Sequence, residues 1–132
     1  MNKSILSFIF VLSLVSAAYS QKTTPKLFAF KFHADWCSTC KQMGPLFTDL
    51  RDSNLSKDDV LFHQFDFTNK STQHQAMLMA TALGVYEIIA GNTGTGFILI
   101  VDAQSMKVVQ RITKQDDLKT AMSKIKEKLK DI

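Results

Sequence analysis

The chain has 132 residues, of which 45% are hydrophobic and 21% charged, and its formal net charge is +4. This length suits a single globular domain with its own core, and the balanced composition excludes a disordered or low-complexity protein. Many of the basic residues fall in the stretch 114–130, interspersed with acidic ones, as is typical of a solvated helix face. We therefore expect no nucleic-acid partner.

The N-terminal residues have the layout of a secretory signal peptide. Lys3 precedes an apolar run over 5–15, and small residues before Gln21 mark a cleavage position. An uncleaved membrane anchor is the alternative, but the run is shorter than the ~20 residues that span a bilayer. We therefore predict a signal peptide at 1–20, a domain at 21–132, a periplasmic or secreted location, and no stable membrane insertion after cleavage.

The domain begins with a strand and a helix that flank the two cysteines of the chain. The apolar, aromatic-rich run over 27–33 predicts a buried strand. A short loop follows, and a helix with an apolar face is predicted from 37 to about 53. Pro45 lies inside this helix and should kink it.

Hydrophobic periodicity and turn residues predict five further elements: a strand at 60–67, a helix at 72–83, a strand at 97–101, its hairpin partner at 107–112, and a closing helix at 115–129. Ser71 or Thr72 could cap the first of these helices, and Gly84 is placed to end it. Residues 86–96 are ambiguous between a helix and a short strand.

This order of elements predicts an α/β domain. Strands that alternate with helices favour parallel crossover units, and the terminal hairpin adds an antiparallel edge. We expect a central mixed sheet of four strands, or five, with helices on both faces.

Cys37 and Cys40 are the only cysteines of the chain. A bridge across so small a loop contributes little chain-entropy stabilisation, so the spacing points to chemistry rather than support. Cys37 falls at the predicted helix N-terminus, where free backbone N–H groups and the macrodipole favour a thiolate, the attacking species in disulfide exchange. Cys40 follows one turn later. The pair is therefore predicted to be a redox disulfide, with Cys37 as the nucleophile and Cys40 as the resolving residue.

The residues around this pair resemble the motif of the thioredoxin family. Trp36 precedes the first cysteine, Lys41 follows the second, and Pro45 lies five residues beyond it, as in the family pattern W-C-x-x-C-K with its kinking proline. The segment 34–40 is also similar to the C-terminal thioredoxin domain of membrane disulfide-interchange reductases. In element order the resemblance covers essentially all of the predicted domain, but its motifs are specific only around 30–45.

The resemblance implies a thioredoxin fold and an enzyme, a thiol–disulfide oxidoreductase that contributes to cell redox homeostasis and needs no cofactor. Its substrates would be protein disulfides or dithiols, and an exported member would exchange electrons with a membrane redox partner. We expect a monomer. The reductase direction is slightly favoured, and the oxidase direction remains open.

The sequence departs from the family pattern in three respects. Lys31 replaces a buried Asp that assists proton transfer at the second cysteine; either a cation there favours the thiolate, or Lys31 snorkels from a strand edge. Thr95 occupies the position of a cis-proline that aligns substrate and limits metal access. Ser38-Thr39 replaces the Gly-Pro dipeptide that tunes the reduction potential. We assign Trp36, Lys31 and Thr95 to the substrate groove and to tuning of the cysteine pKa values.

Metal handling is the main alternative function. His33 lies four residues before Cys37, and His63 is predicted on the neighbouring strand, so two thiolates and two imidazoles could bind copper or zinc. The chain has no second C-x-x-C and no H-x₃₋₅-H pattern, so a closed zinc site is not encoded and no metal ligand is predicted. A redox-inactive binding module on the same fold is a further alternative.

Overall fold

The structure, a computed structural model, describes residues 24–57 and 59–132. The predicted signal peptide at 1–20 lies outside the described residues, so export remains a prediction. Across the two described ranges, no helix is long and apolar enough to cross a membrane.

Four strands and five α-helices follow one another in the order expected from the sequence, with one short helix in the segment that was ambiguous. They are β1 (Leu27–His33), α1 (Ser38–Gln42), α2 (Gly44–Asp52), β2 (Val60–Asp66), α3 (Lys70–Ala82), α4 (Tyr86–Gly91), β3 (Phe97–Asp102), β4 (Lys107–Ile112) and α5 (Leu118–Lys130), with a 3₁₀ turn at Asn54–Ser56 before β2. The prediction of an α/β domain is confirmed.

The sheet is mixed and four-stranded, in the order β2-β1-β3-β4. β1 pairs in parallel with β2 and antiparallel with β3, and β3 pairs antiparallel with β4. The expected mixed sheet is therefore confirmed, but β3 does not join it by the parallel crossover that the alternation of strands and helices favoured. The reason is α4, which carries the chain back to the end of β1, so that β3 starts beside the cysteines with Phe97 paired to Phe32.

Side-chain alternation along the central strand β1 divides the core into two halves. One face packs under α2 and α5 and buries Leu27, Ala29, Phe47, Leu50, Ile98, Ile100, Ala121 and Ile125. The opposite face packs under α3 and α4 and buries Phe28, Phe30, Phe32, Phe65, Ala76, Ala80, Val85, Ile89 and Phe97. β1 is thus covered on both faces, which explains its continuous apolar sequence and fixes where its last residues point.

The helix predicted from 37 to 53 is two helices, broken at Met43. Pro45 lies in the first turn of the second helix, where a missing N–H costs no helical hydrogen bond, so the proline begins a helix instead of bending one. The cap predicted at Ser71 or Thr72 is also displaced. Asn69 caps α3, its side chain accepting hydrogen bonds from the N–H groups of both residues.

Candidate active site

Cys37 and Cys40 are joined in a disulfide where the loop after β1 enters α1, with their Cα atoms 5.2 Å apart. Cys37 is the N-cap of α1, and its sulfur accepts the N–H of Cys40 at 3.1 Å. Such a hydrogen bond stabilises a thiolate once the disulfide opens. The local geometry therefore favours the thiolate form of Cys37.

The two sulfur atoms lie in different environments. Cys37 is half-buried, whereas Cys40 is fully buried. The Cys40 sulfur lies 3.6 Å from the carbonyl oxygen of Phe32, an acceptor that suits a protonated thiol and disfavours an anion. One cysteine is thus accessible to a partner and the other is held behind it.

A glycine loop before β3 packs against this pair. The N–H of Gly96 donates to the carbonyl oxygen of Phe32 at 2.8 Å. Gly96 has a φ of +84°, and a Cβ atom there would lie 2.8 Å from Thr39 Cγ2 and 3.4 Å from Cys37 Sγ. Only glycine fits this approach.

The sequence interpretation placed Thr95 opposite the cysteines. The structure places Thr95 in a groove that Trp36 also lines, and the neighbouring Gly96 packs so near the motif that an added Cβ atom would lie 3.4 Å from Cys37 Sγ. The described peptide bonds are all trans, so glycine at positive φ replaces a proline in bringing this loop to the cysteines. The paired glycines Gly94 and Gly96 before a buried strand were the signal that could have identified it.

Trp36 is the most exposed large apolar side chain among the described residues, at 67%. Its indole Nε1–H donates to the carbonyl oxygen of Thr68 at 3.2 Å. The backbone N–H of Asp35 donates to the Thr68 hydroxyl oxygen at 3.0 Å. Thr68, a single residue after β2, thus accepts two hydrogen bonds that hold the segment preceding Cys37.

Thr68 is itself held by Asp66. The carboxylate accepts the Thr68 N–H at 2.8 Å and the Thr68 hydroxyl. Burial acts to raise the pKa of Asp66, but the Thr68 hydrogen bonds and the nearby His33 outweigh it, so this pKa lies below its ordinary value. Asp66 is ionised at neutral pH and accepts hydrogen bonds only. Sequence analysis missed both Asp66 and Thr68, since neither belongs to a local motif.

Lys31 is buried on the central strand, 4% exposed, with its ammonium 5.6 Å from the centroid of the Phe47 ring. β1 lies between β2 and β3, so the alternative that Lys31 snorkels from a strand edge is wrong. Burial lowers the pKa of Lys31. Within the described residues this ammonium forms no ion pair, which makes it a costly group in the core.

His33 and His63, the two candidate metal ligands, do not lie together at the cysteine pair. The register pairs His33 with Asp66 and His63 with Phe30, and alternation along the strands directs His33 and His63 to opposite faces of the sheet. His33 Nε2 lies 3.1 Å from an Asp35 carboxylate oxygen, and its buried Nδ1 has no hydrogen-bond partner among the residues that the structure describes. Among the described residues, no group of three or more His, Cys, Asp and Glu side chains could hold a metal ion.

A groove of about 460 Å³ runs from the motif across α3 and α4. Trp36, which precedes Cys37, and Thr95 line it together with Met77 on α3 and Tyr86 on α4. Two of the three assigned groove residues, Trp36 and Thr95, therefore share one groove. Lys31 does not line it.

Comparison with known proteins agrees with this geometry. The family model described as Thioredoxin matches residues 10–82, more than half of the chain. The structure is similar to that of Trxlp from Edwardsiella tarda EIB202, with a TM-score of 0.51 and 18% identity over 83% of this chain and 90% of that one. It is also similar to the thioredoxin Mala s 13 of Malassezia sympodialis, with a TM-score of 0.50 and 20% identity over 83% and 85% of the two chains. A search of curated proteins finds no significant match.

Thr68→Val should loosen the segment before Cys37 while leaving the carbonyl bond to Trp36. We expect a loss of about 2 kcal/mol in the free energy of unfolding, because the hydroxyl makes two hydrogen bonds, with Asp35 and with Asp66, and each usually contributes about 1 kcal/mol. Trp36 is the only tryptophan, so its fluorescence anisotropy measures the loosening directly, and it should fall. Thr68→Ser keeps the hydroxyl and should behave as wild type; equal anisotropy in all three proteins would contradict the role of Thr68.

Lys31→Met should stabilise the protein at neutral pH by roughly 1 kcal/mol, because it removes a buried charge without a counter-ion. The advantage should shrink as pH rises through the lowered pKa of Lys31 towards its ordinary value of 10.5, since the folded wild type then loses its proton before the unfolded chain does. Denaturant unfolding of both proteins across this range measures the effect.

If Lys31 also tunes the thiols, Lys31→Met should raise the pKa of Cys37 in alkylation-rate profiles; an unchanged pKa would remove Lys31 from that role.

Proposed function

The chain belongs to the thioredoxin family, and on that premise we propose that it is an exported thiol–disulfide oxidoreductase that acts on protein disulfides, with the reductase direction favoured. The observation that carries the proposal is the asymmetry of the pair. Cys37 is accessible and its sulfur accepts a backbone N–H, while Cys40 is buried directly behind it. This is the arrangement that stepwise disulfide exchange needs.

The proposed cycle starts from the dithiol form. The Cys37 thiolate attacks one sulfur of a substrate disulfide, forming a mixed disulfide and releasing the other substrate sulfur as a thiolate, which takes up a proton. Cys40 then loses its proton and attacks the Cys37 sulfur, which forms the Cys37–Cys40 disulfide and releases the second substrate thiol. Two electrons pass to the substrate, so each turnover leaves the protein oxidised.

Export and the reductase direction rest on the sequence. The segment 1–20 reads as a signal peptide, and compartments outside the cytosol favour disulfides. A reductase working there must be reduced again after each cycle, so we propose a membrane redox partner as its electron donor. The similarity of 34–40 to the C-terminal thioredoxin domain of membrane disulfide-interchange reductases supports this direction.

Cys40→Ser should trap substrates as mixed disulfides at Cys37, because the resolving thiol is gone. Non-reducing gels of cells expressing the variant should show adducts that disappear with dithiothreitol. Cys37→Ser is the matched control and should show no such adducts, since Cys40 is buried. Absence of adducts from both variants would favour the redox-inactive binding module.

The reduction potential of the Cys37–Cys40 pair decides the direction. A reductase should equilibrate with glutathione near the thioredoxin end of the family range, about −270 mV, and an oxidase nearer −120 mV. Mass spectrometry of alkylated samples across a series of glutathione buffers measures it. A value at the oxidising end would contradict the reductase assignment while leaving disulfide exchange intact.

Export predicts a mature protein that begins at Gln21 in an extracytoplasmic fraction. N-terminal sequencing of the protein expressed from the full chain tests this. Recovery of the intact N-terminus from the cytosol would contradict the proposed location.

A further inference from the structure

The closing helix α5 carries five lysines, and two of them have acidic partners. The ammonium of Lys124 lies 2.7 Å from a carboxylate oxygen of Asp116. The ammonium of Lys128 lies 3.5 Å from Glu127 and 3.4 Å from Asp131. Both lysines are only partly exposed, so their charges are neutralised within the domain.

The other three lysines of α5 are exposed and form no ion pair within the described residues; they are Lys119, Lys126 and Lys130. Steps of seven and four residues on a helix with 3.6 residues per turn place them within about 40° of one another. At 1.5 Å per residue, the row that they form is about 16 Å long. We call these three residues the lysine stripe.

Apolar side chains border the lysine stripe. Leu118 and Met122 line the same surface groove as the three lysines. Leu118 is 38% exposed, and Met122 is partly exposed although it also packs against the core. The outer face of α5 therefore combines positive charge with accessible apolar surface.

Two acidic residues also border the lysine stripe, and both have other partners. Glu127 lines the same groove but lies 3.5 Å from Lys128. Asp52 of α2 shares a neighbouring groove with Lys126 but lies 3.1 Å from Arg51. The stripe thus keeps a positive charge that no ion pair within the described residues compensates.

The composition of this surface favours a lipid bilayer over a protein as its partner. α5 carries no Arg and no aromatic residue, the types that dominate the energetics of protein interfaces. Lysine ammonium groups are point charges on flexible stems, which suits diffuse attraction to a layer of lipid phosphates. Leu118 and Met122 can enter the headgroup layer beside them.

The position of α5 in the fold is compatible with such a partner. α5 packs with α2 over one face of the sheet, through Ala121 and Ile125. The groove that Trp36 lines lies over the opposite face, at α3 and α4. A bilayer bound at α5 would therefore leave Trp36 accessible.

We propose that the lysine stripe docks this protein on the surface of an anionic phospholipid bilayer. The lipid phosphates supply the counter-charges, and the domain stays outside the hydrocarbon layer. Docking is independent of disulfide exchange. For an exported oxidoreductase, it would raise the local concentration near a membrane redox partner.

The test compares partition of the full chain onto vesicles of phosphatidylcholine alone and of phosphatidylcholine mixed with phosphatidylglycerol. Sedimentation at about 0.1 M salt, where the screening length is ~10 Å, measures the bound fraction. A lysine near an anionic surface contributes about 1 kcal/mol, so three should favour the anionic vesicles about a hundredfold. Raising the salt concentration should remove this preference, and inorganic phosphate at the concentration of the lipid should not compete.

Two matched triple variants locate the effect. The stripe variant carries Lys119→Gln, Lys126→Gln and Lys130→Gln. The control variant carries Lys57→Gln, Lys70→Gln and Lys107→Gln, at exposed positions outside α5. Both lose the same net charge, but only the stripe variant should lose most of the preference for anionic vesicles. Arginine at the three stripe positions should keep the preference, because the charge is kept.

Equal partition of the wild type onto both kinds of vesicle would overturn the proposal. An equal loss in the stripe and control variants would overturn it as well, because net charge and not α5 would then be responsible. Poly-glutamate is the probe for an acidic protein. If it binds the wild type but not the stripe variant, while anionic vesicles bind neither, the assignment to lipid is wrong.

Disulfide exchange is measured separately on the same proteins. Pre-reduced wild type and stripe variant should reduce bis(2-hydroxyethyl) disulfide at the same rate in a single turnover, which also shows that the variant is folded. If neither protein reacts, the proposed oxidoreductase function is refuted and the vesicle result still decides the docking.

Discussion

The carbonyl oxygen of Phe32 holds the two halves of the active site together. It accepts the N–H of Gly96 at 2.8 Å and lies 3.6 Å from the Cys40 sulfur. Phe32 belongs to the central strand and is fully buried, so the position of this oxygen is set by the core on both sides of the sheet. The helix that carries the cysteines and the loop that faces them are therefore both positioned against the same oxygen atom. Packing far from the surface thus controls the geometry of an exposed sulfur.

Element types and order were predictable because most segments carry a strong local pattern. β1 is a continuous apolar run and α5 has apolar residues at helical spacing, and both form as expected. α4 was ambiguous because no side chain caps its start; it is held by the packing of Val85 and Ile89, which sequence alone does not show. The direction of β3 depends on where the chain lies relative to β1 when α4 ends. Alternation of strands and helices in the sequence does not show this, so the direction could not be predicted.

The residues of the candidate site also fall into those that local sequence identifies and those that only the folded structure reveals. Cys37 and Cys40 are identified by spacing and by position between a strand and a helix, all of which are local. Thr68 and Gly96 reach the motif from distant parts of the chain, through a side-chain hydrogen bond and a close backbone approach. Lys31 could be flagged from sequence as unusual, but its burial against Phe47 required the structure.

The close contact between Gly96 and Thr39 also limits how this protein can diverge. An L-amino acid at position 96 would be strained by its backbone conformation and would collide with the threonine methyl group. A homologue that acquires a side chain at 96 must change the conformation of this loop, because a smaller residue at 39 would remove the collision but not the backbone strain. Divergence at position 96 is therefore tied to the path of the loop that faces the cysteines.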